Sequence, residues 1–171
     1  GMKRLIGEGK LPSTITYEAY IYNSQTNLEE LKTQINSSDY VVVISEIDSA
    51  SQLHPSHWRT KVPTEVVDYG NSLDIPTVIM SVSKPYDAAN YTEAKAITVV
   101  YGNKGMDPTE GLQIDKSFGP NIPAGIEVIF GGVSPSGKLP VDLPVIENGV
   151  MDTSKTAYPI GHGLIFEEDE E

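Results

Sequence analysis

Tyr40-Val41-Val42-Val43-Ile44 is a run of five residues without a charge or a turn-former. A strand with one wet face alternates apolar and polar residues. An unbroken apolar run marks a strand covered on both faces, as in parallel sheets. Ile75 to Val82 has the same character, and Ala96 to Tyr101 repeats it. Val42, Ile44, Val78, Ile79, Ile97 and Val99 are therefore expected in the core. Between the first two runs, Val66, Val67, Gly70 and Leu73 suggest a helix over Pro63 to Leu73. Pro63 is expected near its first turn, where a missing N–H costs nothing.

Upstream, Thr26-Asn27-Leu28-Glu29 has the form of a capping box. Leu28, Leu31 and Ile35 follow at helical spacing, so a helix is predicted to about Ser37. Thr14 to Tyr22, rich in Thr, Ile and Tyr, reads as a strand. Strands alternating with helices imply a parallel sheet with right-handed connections. Only about a dozen residues precede the first strand, fewer than a parallel crossover needs. Either Lys3 to Ile6 pairs differently, or the sheet lacks the first strand of a doubly wound domain.

After Tyr101 the texture changes. Gly102 to Pro120 carries Gly, Pro, Asp and Asn and reads as a long loop. Pro123 to Phe130 suggests a short helix closed by Gly131-Gly132. Ser134 to Pro144 reads as a turn and an extended edge segment, because Pro140 and Pro144 make a poor central strand.

The chain has 171 residues, of which 39% are hydrophobic and 21% charged. That is globular usage, and the length suits one domain. Residues 1–166 are expected to form it, with Glu167 to Glu171 a solvated acidic tail. There are no cysteines, which excludes disulfides, thiolate metal sites and cysteine nucleophiles. The net charge of −12 and the lack of any basic cluster beyond Lys3-Arg4 argue against nucleic acid as a partner. No apolar run is long enough to span a membrane. Lys3-Arg4-Leu5-Ile6 is followed by Gly, Glu and Lys, so it does not open a signal peptide.

Ligands in open parallel sheets gather at the carboxyl ends of strands. Ser45-Glu46-Ile47-Asp48 and Ser83-Lys84-Pro85-Tyr86-Asp87 occupy those ends. They offer Glu46, Asp48, His54, Lys84, Tyr86 and Asp87 to one rim. A paired-carboxylate site for glycosidic chemistry can be built from such groups. Residues at strand ends also serve simply to solvate loops. His54 and His57 are three apart, but Pro55 argues against one helix holding both, and no metal site is expected. No phosphate-binding loop or dinucleotide fingerprint is present, and no cofactor is expected.

Two C-terminal segments carry a sharper signal. Phe130-Gly131-Gly132-Val133-Ser134-Pro135-Ser136-Gly137-Lys138-Leu139-Pro140-Val141-Asp142-Leu143-Pro144 resembles the closing motif of the C-terminal α/β-sandwich domain of glycoside hydrolase family 3. Tyr158-Pro159-Ile160-Gly161-His162-Gly163-Leu164 is similar to the signature that follows it in that family. Ser83 to Asp87 and Val100-Tyr101-Gly102 resemble the β-N-acetylhexosaminidase branch. Together these span roughly Tyr40 to Phe166.

The resemblance implies a three-layer α/β/α sandwich around a mostly parallel, flavodoxin-like sheet. It implies an accessory domain of a glycosidase whose catalytic Asp lies on a separate N-terminal barrel domain. The parent reaction would be hydrolysis of a terminal β-linked N-acetylglucosamine or a β-glucoside. Neither branch's catalytic set is complete here: Ser45-Glu46 matches a strand-end Gly-Glu of the glucosidase branch only in its acid. No catalytic residue is therefore expected in this chain. Pro135, Ser136, Gly137, Lys138, Leu139 and Pro140 are expected to be structural, as are Tyr158, Pro159, Gly161, His162 and Gly163. A stand-alone sugar-binding or protein-interaction module of the same descent is the other reading, with carbohydrate at the rim. An open sheet edge would also favour a homodimer. The chain would be cytoplasmic if complete as given and secreted if part of a longer exported parent.

Overall fold

The computed structural model describes residues 1–102 and 121–166. The three apolar runs become β1 (Val41–Ser45), β2 (Thr77–Ser81) and β3 (Ala96–Val99), a parallel sheet in the order β1-β2-β3. Val43 lies beside Ile79 and Ile79 beside Ile97, so all three share one face. Val43 and Ile79 are buried there with Val62, Val66 and Val67, and Leu28 and Leu31 pack against the same cluster. Those residues come from α3 (Trp58–Ser72) and α2 (Leu28–Ile35). Met80 points the other way, as successive strand residues do. It is buried with Val82 and Val100 against Ile122, Ile126 and Ile129 of α4 (Asn121–Ile129). The protein is thus a mixed α/β fold.

The expected core holds in the centre and fails at one edge. Val78 and Ile79 are buried, and Ile97 and Val99 are half-buried. Val42 is only half-buried, and Ile44 is 45% exposed. The reason is topological: β1 has a neighbour on one side only among the described residues. An apolar run cannot report whether its strand is central or terminal.

Thr14 to Tyr22 forms no strand. This segment meets β1 with a side chain rather than its backbone, since the Tyr22 hydroxyl donates to the Ile44 carbonyl at 2.9 Å. Lys3 to Ile6 lies within a short helix, α1 (Met2–Gly7). Leu5 is fully buried beside Gly132, and Arg4 pairs with Glu127, so α1 packs on α4 instead of entering the sheet.

Two helix starts also differ from the sequence expectation. Asn27, not Thr26, caps α2 by accepting from the Glu29 amide at 3.1 Å. Thr26 instead accepts from the Asn23 amide at 2.7 Å. The α3 helix begins at Trp58, capped by His57, which leaves Pro63 in its second turn. Proline there removes the donor that the Arg59 carbonyl would otherwise receive. The Tyr91 hydroxyl reaches that carbonyl at 3.4 Å and supplies a donor from outside the helix.

At the C-terminus, β4 (Leu143–Glu147) and β5 (Val150–Tyr158) form an antiparallel hairpin. Asn148-Gly149 is its two-residue turn, the sequence that a right-twisted hairpin favours. Pro144 lies where the ladder register shifts, a place that tolerates its missing donor. The β4 strand packs against the 3₁₀ turn Pro85–Asn90, with Leu143 buried. The predicted loop from Gly102 to Pro120 falls, after its first residue, outside the described residues, as does the acidic tail.

Candidate functional site at the strand ends

Ser45 and Ser81 are neighbours in register at the ends of β1 and β2. Their side chains point to one face, and both hydroxyls donate to Asp87. The Ser45 bond to Oδ2 is 2.7 Å and the Ser81 bond to Oδ1 is 2.6 Å. The Tyr91 hydroxyl lies 3.1 Å from Ser45 Oγ. Asp87 is fully buried. Burial raises its carboxyl pKa to about 6, and the two serine bonds pull the other way. Tyr22, at the β1 edge, is pushed up to about 12 by its own burial. Asp87 is therefore an anchor that holds the Pro85–Asn90 turn to the sheet, not the solvent-facing rim group that its sequence position suggests.

The other rim candidates are distributed differently. Asp48 accepts from Ser83 Oγ at 2.8 Å, and its carbonyl accepts from Lys84 Nζ at 2.7 Å. Asp48 and Lys84 are thus brought together, linking the loops after β1 and β2. Glu46 turns toward α3: Arg59 Nη1 donates to its carbonyl at 2.7 Å and to Oε2 at 3.0 Å. His54 is exposed, with Nδ1 2.7 Å from Ser56 Oγ, and its backbone lies against Gly149 of the hairpin turn. Tyr86 is half-buried. The His57 ring nitrogen is engaged as the α3 cap, accepting from the Arg59 amide. Among the described residues, no three His, Asp or Glu side chains converge as a metal would require.

Sequence reasoning missed the groove beside Glu46. Tyr20, Ile21, Tyr22, Ile44, Glu46, Trp58, Arg59 and Val82 line an open volume of about 300 Å³ along the carboxyl half of the β1 edge. Trp58 meets Tyr22 edge-on at 5.9 Å, and the Arg59 guanidinium lies 4.9 Å from the Trp58 ring. The available signal was His57-Trp58-Arg59 read as a helix start. Pro63 drew the predicted start past it.

The two C-terminal segments meet. Leu139 N–H donates to the His162 carbonyl and Gly161 N–H to the Leu139 carbonyl, both at 2.8 Å. Lys138 Nζ donates to the Gly163 carbonyl at 2.6 Å. Asp142 accepts from the Ile160 amide at 2.6 Å. A Cβ on Gly163 would overlap the Gly137 carbonyl, and Gly161 has φ of +81°, so both positions call for glycine. The His162 ring is exposed and lies 5.3 Å from Tyr158. Pro135, Ser136 and Pro159 lie in irregular backbone and Pro140 in a bend, all within or next to the two segments.

These features define the class: an α/β protein with a short parallel sheet, a buried serine–aspartate anchor and a C-terminal hairpin clasp. No known protein family and no curated protein matches the chain.

Proposed function

We propose that the chain is an accessory C-terminal domain of a family 3 glycosidase of the β-N-acetylhexosaminidase type, and that it is not catalytic alone. In this reading the helices on the two faces of the sheet are the outer layers of a three-layer α/β/α sandwich that lacks its first strand. The partner is an N-terminal barrel domain carrying the nucleophile. The observation that carries the reading is the contact between the two motif-bearing segments, at Leu139 with Gly161 and His162. The β4–β5 hairpin sets Leu143 opposite Tyr158 and so brings the segments side by side, and the motif residues Lys138 and Gly163 then bond to each other. The acids also fit a non-catalytic role: Asp87 is buried between two serines, and Glu46 is held by Arg59. Most retaining glycosidases use two carboxyl groups facing one substrate, about 5 Å apart.

The test has two arms. The purified chain is assayed with p-nitrophenyl β-N-acetylglucosaminide and p-nitrophenyl β-glucoside, and no turnover above buffer is expected. Turnover that survives repurification and disappears in Glu46→Gln or Asp48→Asn refutes the reading. The chain is also titrated calorimetrically with N-acetylglucosamine and with glucose. Silence agrees with an accessory domain, whereas saturable heat favours a stand-alone sugar-binding module. Sequencing the coding DNA upstream of Met2 is expected to find a barrel of about 300 or more residues, within the range of that fold.

A further inference from the structure

Among the described residues, β1 is an edge strand of the parallel sheet. In a parallel ladder, alternate residues of a strand bond to one neighbour and the remainder face the other side. Val41 N–H bonds to the Pro76 carbonyl and the Ser45 carbonyl to Val82 N–H, so Val41, Val43 and Ser45 serve β2. The backbone groups of Val42 and Ile44 face outward. Among the described residues, only the Tyr22 hydroxyl meets them, at the Ile44 carbonyl. That oxygen retains a second lone pair. A sheet of three strands is also short against the four to six of most sheets.

The side chains along this edge are self-complementary. Tyr40, Val42 and Ile44 share one face by the alternation of a strand. Tyr40 is 38% exposed and Ile44 is 45% exposed. Beside Ile44 lies the groove of about 300 Å³, walled by Tyr22, Val82 and the 95% exposed Ile21. We propose that two copies of the chain pair antiparallel through β1, centred on Val42, and that each Tyr40 ring, which packs 5.7 Å from the Phe130 ring of its own chain, presents its exposed side to Ile44 and the groove of the other copy. In this register Val42 faces Val42 on the two-fold axis, and Tyr40 faces Ile44 twice. Aromatic and β-branched residues are favoured opposite each other on neighbouring strands. Tyr is among the residue types enriched at interface hot spots, which sit in well-packed pockets. No like charges oppose one another: Asp39 faces Ser45, and Glu46, already paired with Arg59, faces Ser38. The net charge of −12 repels at long range, and moderate salt screens it.

Light scattering over a concentration series at low and moderate salt tests the pairing. The parent chain is expected to be a dimer that salt tightens. Ile44→Lys places a charge on the exposed edge and should leave folding intact while weakening the dimer by about tenfold or more. The absence of native cysteine allows a register test. Val42→Cys should be cross-linked by a short bifunctional thiol reagent into a covalent dimer, whereas Ile160→Cys on the exposed C-terminal segment should not. A parent that stays monomeric at high concentration and salt overturns the proposal. So does an Ile44→Lys dimer as tight as the parent, or cross-linking through position 160 in place of position 42.

Discussion

Ser45 donates a 2.7 Å hydrogen bond to Asp87, 42 residues further along the chain, and so ties the end of β1 to the turn that follows β2. Ser81 closes the other oxygen of the same carboxylate at 2.6 Å. This clasp sets the geometry of the strand-end loops, and β4 rests on the turn it holds.

Asp87 should make the protein less stable as the pH rises. Burial lifts its folded pKa from 3.8 to about 6. The folded state therefore holds its proton more tightly than the unfolded chain. The resulting stabilisation is complete below about pH 4 and is lost as the pH climbs through about 6. A shift of that size corresponds to about 3 kcal/mol. Urea unfolding from pH 4 to pH 7 should show the parent losing stability relative to Asp87→Asn, the other carboxylates cancelling in the difference. Parallel pH curves for the two proteins would show that the carboxyl does not titrate differently on folding.

Val78→Asp should unfold the protein or lower its melting temperature sharply. Val78 is 2% exposed in the central strand. A carboxylate there has no partner, and burying one costs several kcal/mol even after a pKa shift. A melting temperature within a degree or two of the parent contradicts the central placement of β2.

Gly163→Ala should loosen the C-terminal clasp. The added methyl meets the Gly137 carbonyl, which as backbone has little room to yield, and also the Lys138 side chain. Overpacking of this kind costs about 1–3 kcal/mol. Amide hydrogen exchange should quicken at Leu139 and Gly161 more than in β2. Unchanged protection at those two amides would mean that the segments are not held by this contact.

Arg59→Ala should destabilise more than Glu46→Gln. The ion pair is half-exposed and contributes about 1 kcal/mol or less. Arg59 also bonds to the Glu46 backbone carbonyl and covers Trp58, and both are lost with the side chain. Chemical unfolding of the two variants and of the double variant gives the ordering. Equal losses would place the whole effect in the charge pair.

The apolar runs at Tyr40 to Ile44 and within Ile75 to Val82 announced the parallel strands, but not that β2 is covered on both faces while Tyr40 and Ile44 stay partly exposed at the β1 edge. Helical spacing announced α2 and α3. Their first residues were not legible, since a cap is chosen by where the preceding chain arrives: Asn27 displaced Thr26, and His57 displaced Pro63 as the start of α3. Thr14 to Tyr22 has strand composition but no ladder. Whether an extended segment becomes a strand depends on a neighbouring backbone, and here the segment meets β1 through side chains, with the Tyr22 hydroxyl bonded to the Ile44 carbonyl.

At the site, the sequence determined which strand ends carry acids, because chain order places Glu46, Asp48 and Asp87 just after apolar runs. Only the tertiary structure decided what each acid does. Ser45 and Ser81 become neighbours when β1 and β2 pair in register, and that register creates the buried slot for Asp87. Arg59 reaches Glu46 because α3 starts five residues earlier than its proline suggests. The groove has the same origin: Tyr20, Ile44 and Trp58 belong to three separate segments, and only their packing beside the β1 edge brings them together.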